Sequence, residues 1–251
     1  MSLFKSGNPA FGEKAFGSMS NVTYVDGMTV KGTLNKFGFM LLMLMGSAYY
    51  SWKEVSNAGN FMPLVYTGLI GGFVLALVII FKKEWSPYLA PAYALMEGFF
   101  LGAVSAVYNS AFAETAPNIV VNAIGLTFGV ALAMYFMYSR GIIKVTEKFR
   151  SVLMLATAGI AIFYFVSMIL GFFGFDMAML HEGSLMGIGF SLVVVVIASL
   201  NLLLDFDMIE QGAQNGAPKY MEWYGAFGLM VTIVWLYLEI LRLLSKFSSR
   251  K

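Results

Sequence analysis

Residues 185–212 read LMGIGFSLVVVVIASLNLLLDFDMIEQG. From Leu185 to Leu204 no side chain carries a charge; then Asp205, Asp207 and Glu210 arrive while Met208 and Ile209 keep the apolar pattern going. A helix needs about 20 apolar residues to cross a hydrocarbon core about 30 Å thick. A carboxylate in the middle of such a helix costs about 2.5–3.5 kcal/mol on insertion scales. The stretch therefore reads as a membrane-crossing helix that keeps an acid for a purpose. Because Met208 and Ile209 follow, Asp205 is expected inside the helix rather than at its tip.

Six more apolar segments repeat the pattern: about Phe37–Trp52, Phe61–Phe81, Pro87–Phe112, Ile119–Tyr138, Val152–Phe173 and Tyr224–Leu244. The 251 residues are 59% hydrophobic and only 12% charged. A soluble domain of this size needs roughly 25% charged residues, so lipid must be the solvent for most of the chain. The expected fold is an all-α integral membrane protein with seven transmembrane helices, the last a candidate for a re-entrant form. Residues 1–34 read as a polar cytoplasmic segment, 35–246 as the membrane domain and 247–251 as a basic tail.

Basic residues set the expected orientation in the cell (inner) membrane. Lys5, Lys14, Lys31 and Lys36 precede the first span; Lys82, Lys83, Arg140, Lys144, Lys148, Arg150 and Lys219 lie in loops of the same parity. Only Lys53 falls in a loop of the other parity, which puts the N-terminus inside. The tail, with Arg242, Lys246, Arg250 and Lys251, breaks this rule if all seven segments cross. Within the spans, Gly98 with Gly102 and Gly125 with Gly129 have the four-residue spacing that lets helices approach closely. Gly68, Gly71 and Gly72 suggest flexibility in the second span.

Several function classes are excluded. Cysteine is absent, which removes disulfides, thiolate metal sites and cysteine nucleophiles. No apolar signal-peptide region precedes the first span, which is expected to act as an uncleaved anchor. No basic run of the nucleic-acid-binding kind occurs. His181 is the one histidine, and HEGSL lacks the second histidine of a zinc-protease motif. GFFGFD does not match the intramembrane aspartyl-protease signature, and neither a Gly-x-Ser-x-Gly nor a phosphate-binding loop is present. The chain is expected not to be an enzyme and to hold no cofactor.

Interest settles on the acids. Asn201 lies one helical turn before Asp205, on the same face. Asp207 is about 200° around the helix from Asp205, and with Glu210 is expected to be solvated. Thr232, Trp235, Glu239 and Arg242 form one stripe on the last span. There Glu239 either forms an i,i+3 ion pair with Arg242 or sits buried as a proton-sharing or Ca²⁺-binding acid. Glu97 is near the middle of the third span with Tyr93 one turn before it, and its partner is expected from another span.

The acid-bearing DFDMI at the end of one span and LYLEILRLL in the next resemble the Bax inhibitor-1 family of transmembrane proteins. The resemblance covers all seven spans. It is closest to a bacterial branch, through SGNPAF, EWSPYLAPAYALMEGFFLGAVSAVY and LDFDMIEQGAQNGAPKYMEWYGAFGLMVTIVWLYLEILRLL. It implies a pH-sensing acidic pair that gates a Ca²⁺ leak, with Asp205 and Glu239 at the matching positions. It also implies restraint of cell death in eukaryotes and modulation of a membrane protease in bacteria. Two departures stand out: the second acid is Glu where the family has Asp, and the insert around QGAQNGAPKYMEW lengthens the separation of the two acids.

The leading expectation is a pH-sensitive cation leak channel or exchanger, Ca²⁺ being the candidate ion. Its pathway residues would be Asp205, Glu239, Glu97, Asn201 and Arg242, with Asp205 and Glu239 as the cation ligands. One alternative is a non-conducting regulator that binds a membrane protease or another integral protein through an N-terminal segment bearing Phe4, Phe11 and Phe16. Another is a proton-coupled carrier of a small solute that uses Glu97.

Overall fold

Thr29 opens the first helix: its backbone is extended, and its Oγ1 accepts the Gly32 amide at 2.9 Å, the geometry of an N-cap. In this computed structural model, residues 27–57, 62–174 and 184–250 are described. They form seven α-helices: α1 Val30–Ser56, α2 Met62–Phe81, α3 Ser86–Ala111, α4 Ile119–Ser139, α5 Glu147–Phe172, α6 Leu185–Gln214 and α7 Met221–Ser248. A 3₁₀ turn, Lys83–Trp85, leads into α3. Among the described residues there is no strand, only an isolated antiparallel bridge between Gly27 and Pro218.

The helices outrun their apolar cores. α1 starts at Val30, ahead of the apolar segment expected from Phe37, because Thr29 caps it there. α5 starts at Glu147, where Thr146 Oγ1 accepts the Phe149 amide at 3.2 Å. α6 continues through Asp205 to Gln214, as the persistence of Met208 and Ile209 suggested. It ends where Gly216 turns into the left-handed region at φ 65° and the Ala217 amide returns to the Gly212 carbonyl. α7 is a single unbroken helix, with no turn at which the chain could double back, so it lacks the break a re-entrant segment needs.

Among the described residues six helices are long and apolar enough to cross a membrane: all except α1. Lys31 and Lys36 at one end of α1, and Tyr49, Tyr50, Lys53 and Glu54 at the other, leave it only a short apolar middle. His181, Phe4, Phe11 and Phe16 lie outside the described residues.

The described chain divides into two compact units. The first takes residues 112–204 and 232–250, the second 27–111 and 205–231, so α6 and α7 contribute to both. In the second unit α3 packs on α1 and α2 through glycines. A Cβ on Gly98 would collide with Ser47 and the Leu44 carbonyl, and one on Gly102 with the Ala48 backbone. Ser51 Oγ donates to the Phe99 carbonyl at 2.7 Å along the same seam. Gly68 faces the Met96 carbonyl and the Phe100 amide, each 2.7 Å from where its Cβ would stand. The α2 glycines are thus spacers for close packing, not hinges. Among the described residues, Gly125 and Gly129 in α4 meet nothing within 4 Å.

Candidate functional site

In the first unit the chemistry gathers at Glu239. Its residue is 1% exposed, in a helix whose neighbouring positions are Tyr237, Leu238, Ile240 and Leu241. Arg242 Nη1 donates to both carboxylate oxygens, at 2.9 and 3.1 Å, across one turn of α7. Tyr164 of α5 donates its hydroxyl to the same two oxygens, at 3.0 and 3.1 Å. That hydroxyl in turn accepts from Arg242 Nη1 at 2.7 Å, and the guanidinium lies over the Tyr164 ring, 4.9 Å from its centroid. Glu239 is therefore both ion-paired to Arg242 and buried.

Tyr164 was not anticipated. It sits in an apolar run, AIFYFVS, where a tyrosine reads as one more aromatic; only its hydroxyl, which must find a partner when buried, was a clue. Phe163 and Phe190 brace the ring, Phe190 edge-on to Tyr164 at 6.3 Å. Asn201 serves the same unit as a strut. Its amide nitrogen donates to Thr157 Oγ1 of α5 at 2.9 Å and back to the Ile197 carbonyl at 2.8 Å.

In the second unit Asp205 has no exposure at all and is followed in α6 by buried Phe206, Met208 and Ile209. It lies more than two turns from the end of its helix, inside rather than at the tip. Asp207 and Glu210 are only half-buried and pair along the helix with Gln211 and Gln214. Glu97 interacts with Tyr93, one turn before it in its own helix. Its carboxyl oxygen packs over Gly72, 2.9 Å from where a Cβ would stand. Tyr93 is itself held edge-on by Phe227 of α7 at 4.9 Å.

A further acid of this unit, Glu222, lies in the first turn of α7. It has no exposure and accepts from the Thr29 amide, the Thr29 hydroxyl and Lys36, while Lys219 stands 3.0 Å from Oε1. Gly32 must be glycine here, because a Cβ would collide with the Glu222 carboxylate. Met28 adds a backbone bond to the Ala217 carbonyl at 2.7 Å. The only local signal was the i,i+3 spacing of Lys219 and Glu222; Thr29 and Lys36 are too distant in sequence to suggest themselves.

Among the described residues no three His, Cys, Asp or Glu side chains gather as a metal cage. No curated protein and no solved structure matches the chain. A family model described as Bax inhibitor 1 like matches residues 8–249, nearly the whole length, and the chain belongs to that family.

Proposed function

We propose that this is a multi-pass protein of the bacterial cell (inner) membrane, with a cytoplasmic N-terminus, that conducts cations under the control of Asp205 and Glu239. Ca²⁺ is the candidate ion, as substrate rather than resident cofactor. Membrane insertion is supported by six long apolar helices and by large apolar side chains turned outward, among them Leu42, Ile70, Phe73, Leu132 and Leu155. A water-soluble bundle would not leave so much of this surface uncovered.

The observation that carries the functional reading is Glu239: a carboxylate withdrawn from water and occupied by one cation of the protein itself, Arg242. A guanidinium in that position excludes a metal ion by charge and by occupancy. The arrangement is that of a closed state, and a passing cation takes the carboxylate when Arg242 and Tyr164 let go. Asp205, equally withdrawn from water, is the second acid of the pathway. Protonation of either removes a cation ligand, which couples proton concentration to flux.

Ca²⁺ flux into proteoliposomes, measured across a pH series, tests this. Asp205→Asn and Glu239→Gln should each flatten the pH profile, and the double variant should add little if the acids act as a unit. A pH profile unchanged in both single variants removes the acids from the mechanism and leaves the non-conducting regulator as the better account.

A further inference from the structure

Three elements of the second unit bring lysines to the first turn of α7. From α1, Lys36 bonds to the Glu222 carboxylate and lies over the Trp223 ring, 5.5 Å from its centroid. From the turn between α2 and α3, Lys83 lies over the Tyr224 ring, 5.6 Å from its centroid. From the turn between α6 and α7, Lys219 stands 3.0 Å from Glu222 Oε1. Residues 27–36, 82–85 and 210–224, which supply these side chains, hold five lysines against three acids, Glu84, Glu210 and Glu222. The charges are unevenly matched. Glu222 takes both Lys36 and Lys219, whereas the ammonium of Lys83 has the Tyr224 ring for its partner among the described residues. A ring face attracts a cation but offers no oxygen to its three N–H donors. The positive end of the α7 dipole adds to the surplus.

The surface that leads to these lysines is apolar. Ile70, Phe73, Leu77 and Phe81 recur at spacing 0, 3, 7 and 11 along α2, and all four are exposed. They form one uncovered stripe that ends beside Lys82, itself exposed. Trp85, 54% exposed, stands one turn past Phe81. A tryptophan and lysines at the end of an apolar span are the residues that sit at headgroup level in a bilayer.

We propose that this end of the second unit seats an anionic phospholipid. Lys82 and Lys83 take the headgroup phosphate, Lys36 and Lys219 add to the field that draws it, and an acyl chain lies along the α2 stripe. The proposal rests on the membrane-spanning reading above and is independent of conduction. Phosphate oxygens supply the acceptors that the Tyr224 ring lacks, through charge-assisted bonds. The apolar stripe running up to the lysines favours a phosphate that carries acyl chains over a free one.

The full chain, purified in detergent, should be titrated with phosphatidylglycerol and with phosphatidylcholine of the same acyl chains, and bound lipid counted by native mass spectrometry. Phosphatidylglycerol should be retained in preference. Lys82→Gln and Lys83→Gln should each weaken its binding about fivefold, the effect of about one lysine at an anionic surface. Lys83→Arg should keep it, and so should Lys53→Gln, which removes an exposed lysine at the other end of α1. If Lys83→Gln fails to fold, Lys82→Gln, on an exposed side chain, carries the same prediction. Equal retention of the two lipids overturns the site, as does a loss in Lys53→Gln that matches the loss in Lys82→Gln. Displacement of the lipid by inorganic phosphate at millimolar concentration overturns the lipid as occupant. Recovery of the chain in the soluble fraction without detergent overturns the membrane reading and the site together, whereas failure of the lipid preference in a membrane-bound chain overturns the site alone.

Discussion

Thr29 and Glu222 are 193 positions apart, yet the amide and the hydroxyl of Thr29 both donate to one oxygen of the Glu222 carboxylate, at 2.9 and 2.8 Å. Thr29 thereby does two jobs. Its Oγ1 accepts the Gly32 amide and caps α1, while the hydroxyl proton points to α7. The carboxylate also takes Lys36 and Lys219, and Lys36 packs over the Trp223 ring, 5.5 Å from its centroid. The start of α1 and the start of α7 are joined by charge-assisted bonds around an acid that water does not reach, and such bonds are about twice as strong as neutral ones.

Glu222→Gln keeps the shape but removes the charge that both lysines face. Lys36 and Lys219 retain partial access to water, which limits the penalty of leaving them unmatched. The expected loss is about 1–3 kcal/mol, read as a lower melting temperature in detergent and as faster amide exchange across residues 27–36. An unchanged melting temperature together with unchanged exchange would show that the cluster contributes nothing to the fold.

The glycine pairs predict opposite outcomes from one chemical change. Gly102→Ala drives a methyl into the Ala48 backbone, so α1 and α3 must separate, at a cost of about 1–3 kcal/mol. Gly125→Ala meets open space and gains helix propensity, so it should be neutral or stabilise by about 0.5–1 kcal/mol. Thermal melting of the two variants side by side checks this, and equal effects would contradict the assigned packing.

These pairs also show where sequence reading reaches its limit. Spacing marked both as candidates for helix contact, but a four-residue repeat does not say which face meets a neighbour. Hydropathy found each of the seven described helices, because lipid-length apolar runs are a strong signal, and placed Ile119 and Leu185 as starts. It missed the polar first turns of α1 and α5, which are set by Thr29 and Thr146 as caps rather than by apolar periodicity. The acids were legible as anomalies: Asp205 and Glu239 are both buried and Arg242 does pair with Glu239. Their company was not. Tyr164 and Thr29 reach their partners across long stretches of chain, and nothing local in the sequence encodes such meetings.

Tyr164→Phe separates the clamp on Glu239 from the fold around it. The ring stays, with its contacts to Phe163 and Phe190, but the carboxylate loses a donor and Arg242 loses an acceptor. A loss of about 1–3 kcal/mol is expected, since the bond removed involves charged groups in a buried site. Tyr88→Phe is the control, because Tyr88 is largely exposed and should change nothing measurable. If the two variants melt alike, the Tyr164 hydroxyl is not holding Glu239. In a conducting protein Tyr164→Phe should also raise basal flux by loosening Arg242.

The sidedness of α1 is the last expectation that one measurement decides. α1 is 27 residues long, about 40 Å at 1.5 Å per residue, so length does not prevent it from crossing, although its apolar middle is short. If it crosses, the N-terminal lysines share a side with Lys82, Lys83, Arg140, Lys144, Lys148, Arg150 and Lys219, and only Lys53 and the C-terminal tail break the positive-inside rule. If it does not, the tail rejoins the N-terminus, but both then oppose the seven loop basics. The first arrangement leaves fewer charges on the wrong side. Because the chain has no native cysteine, single cysteines at Ser6, Asn57 and Ser249 can be probed with an impermeant thiol reagent in intact cells. Asn57 and Ser249 should label from outside and Ser6 only after permeabilisation. Shared protection of all three would show that α1 lies along the membrane rather than across it, and that the chain crosses six times.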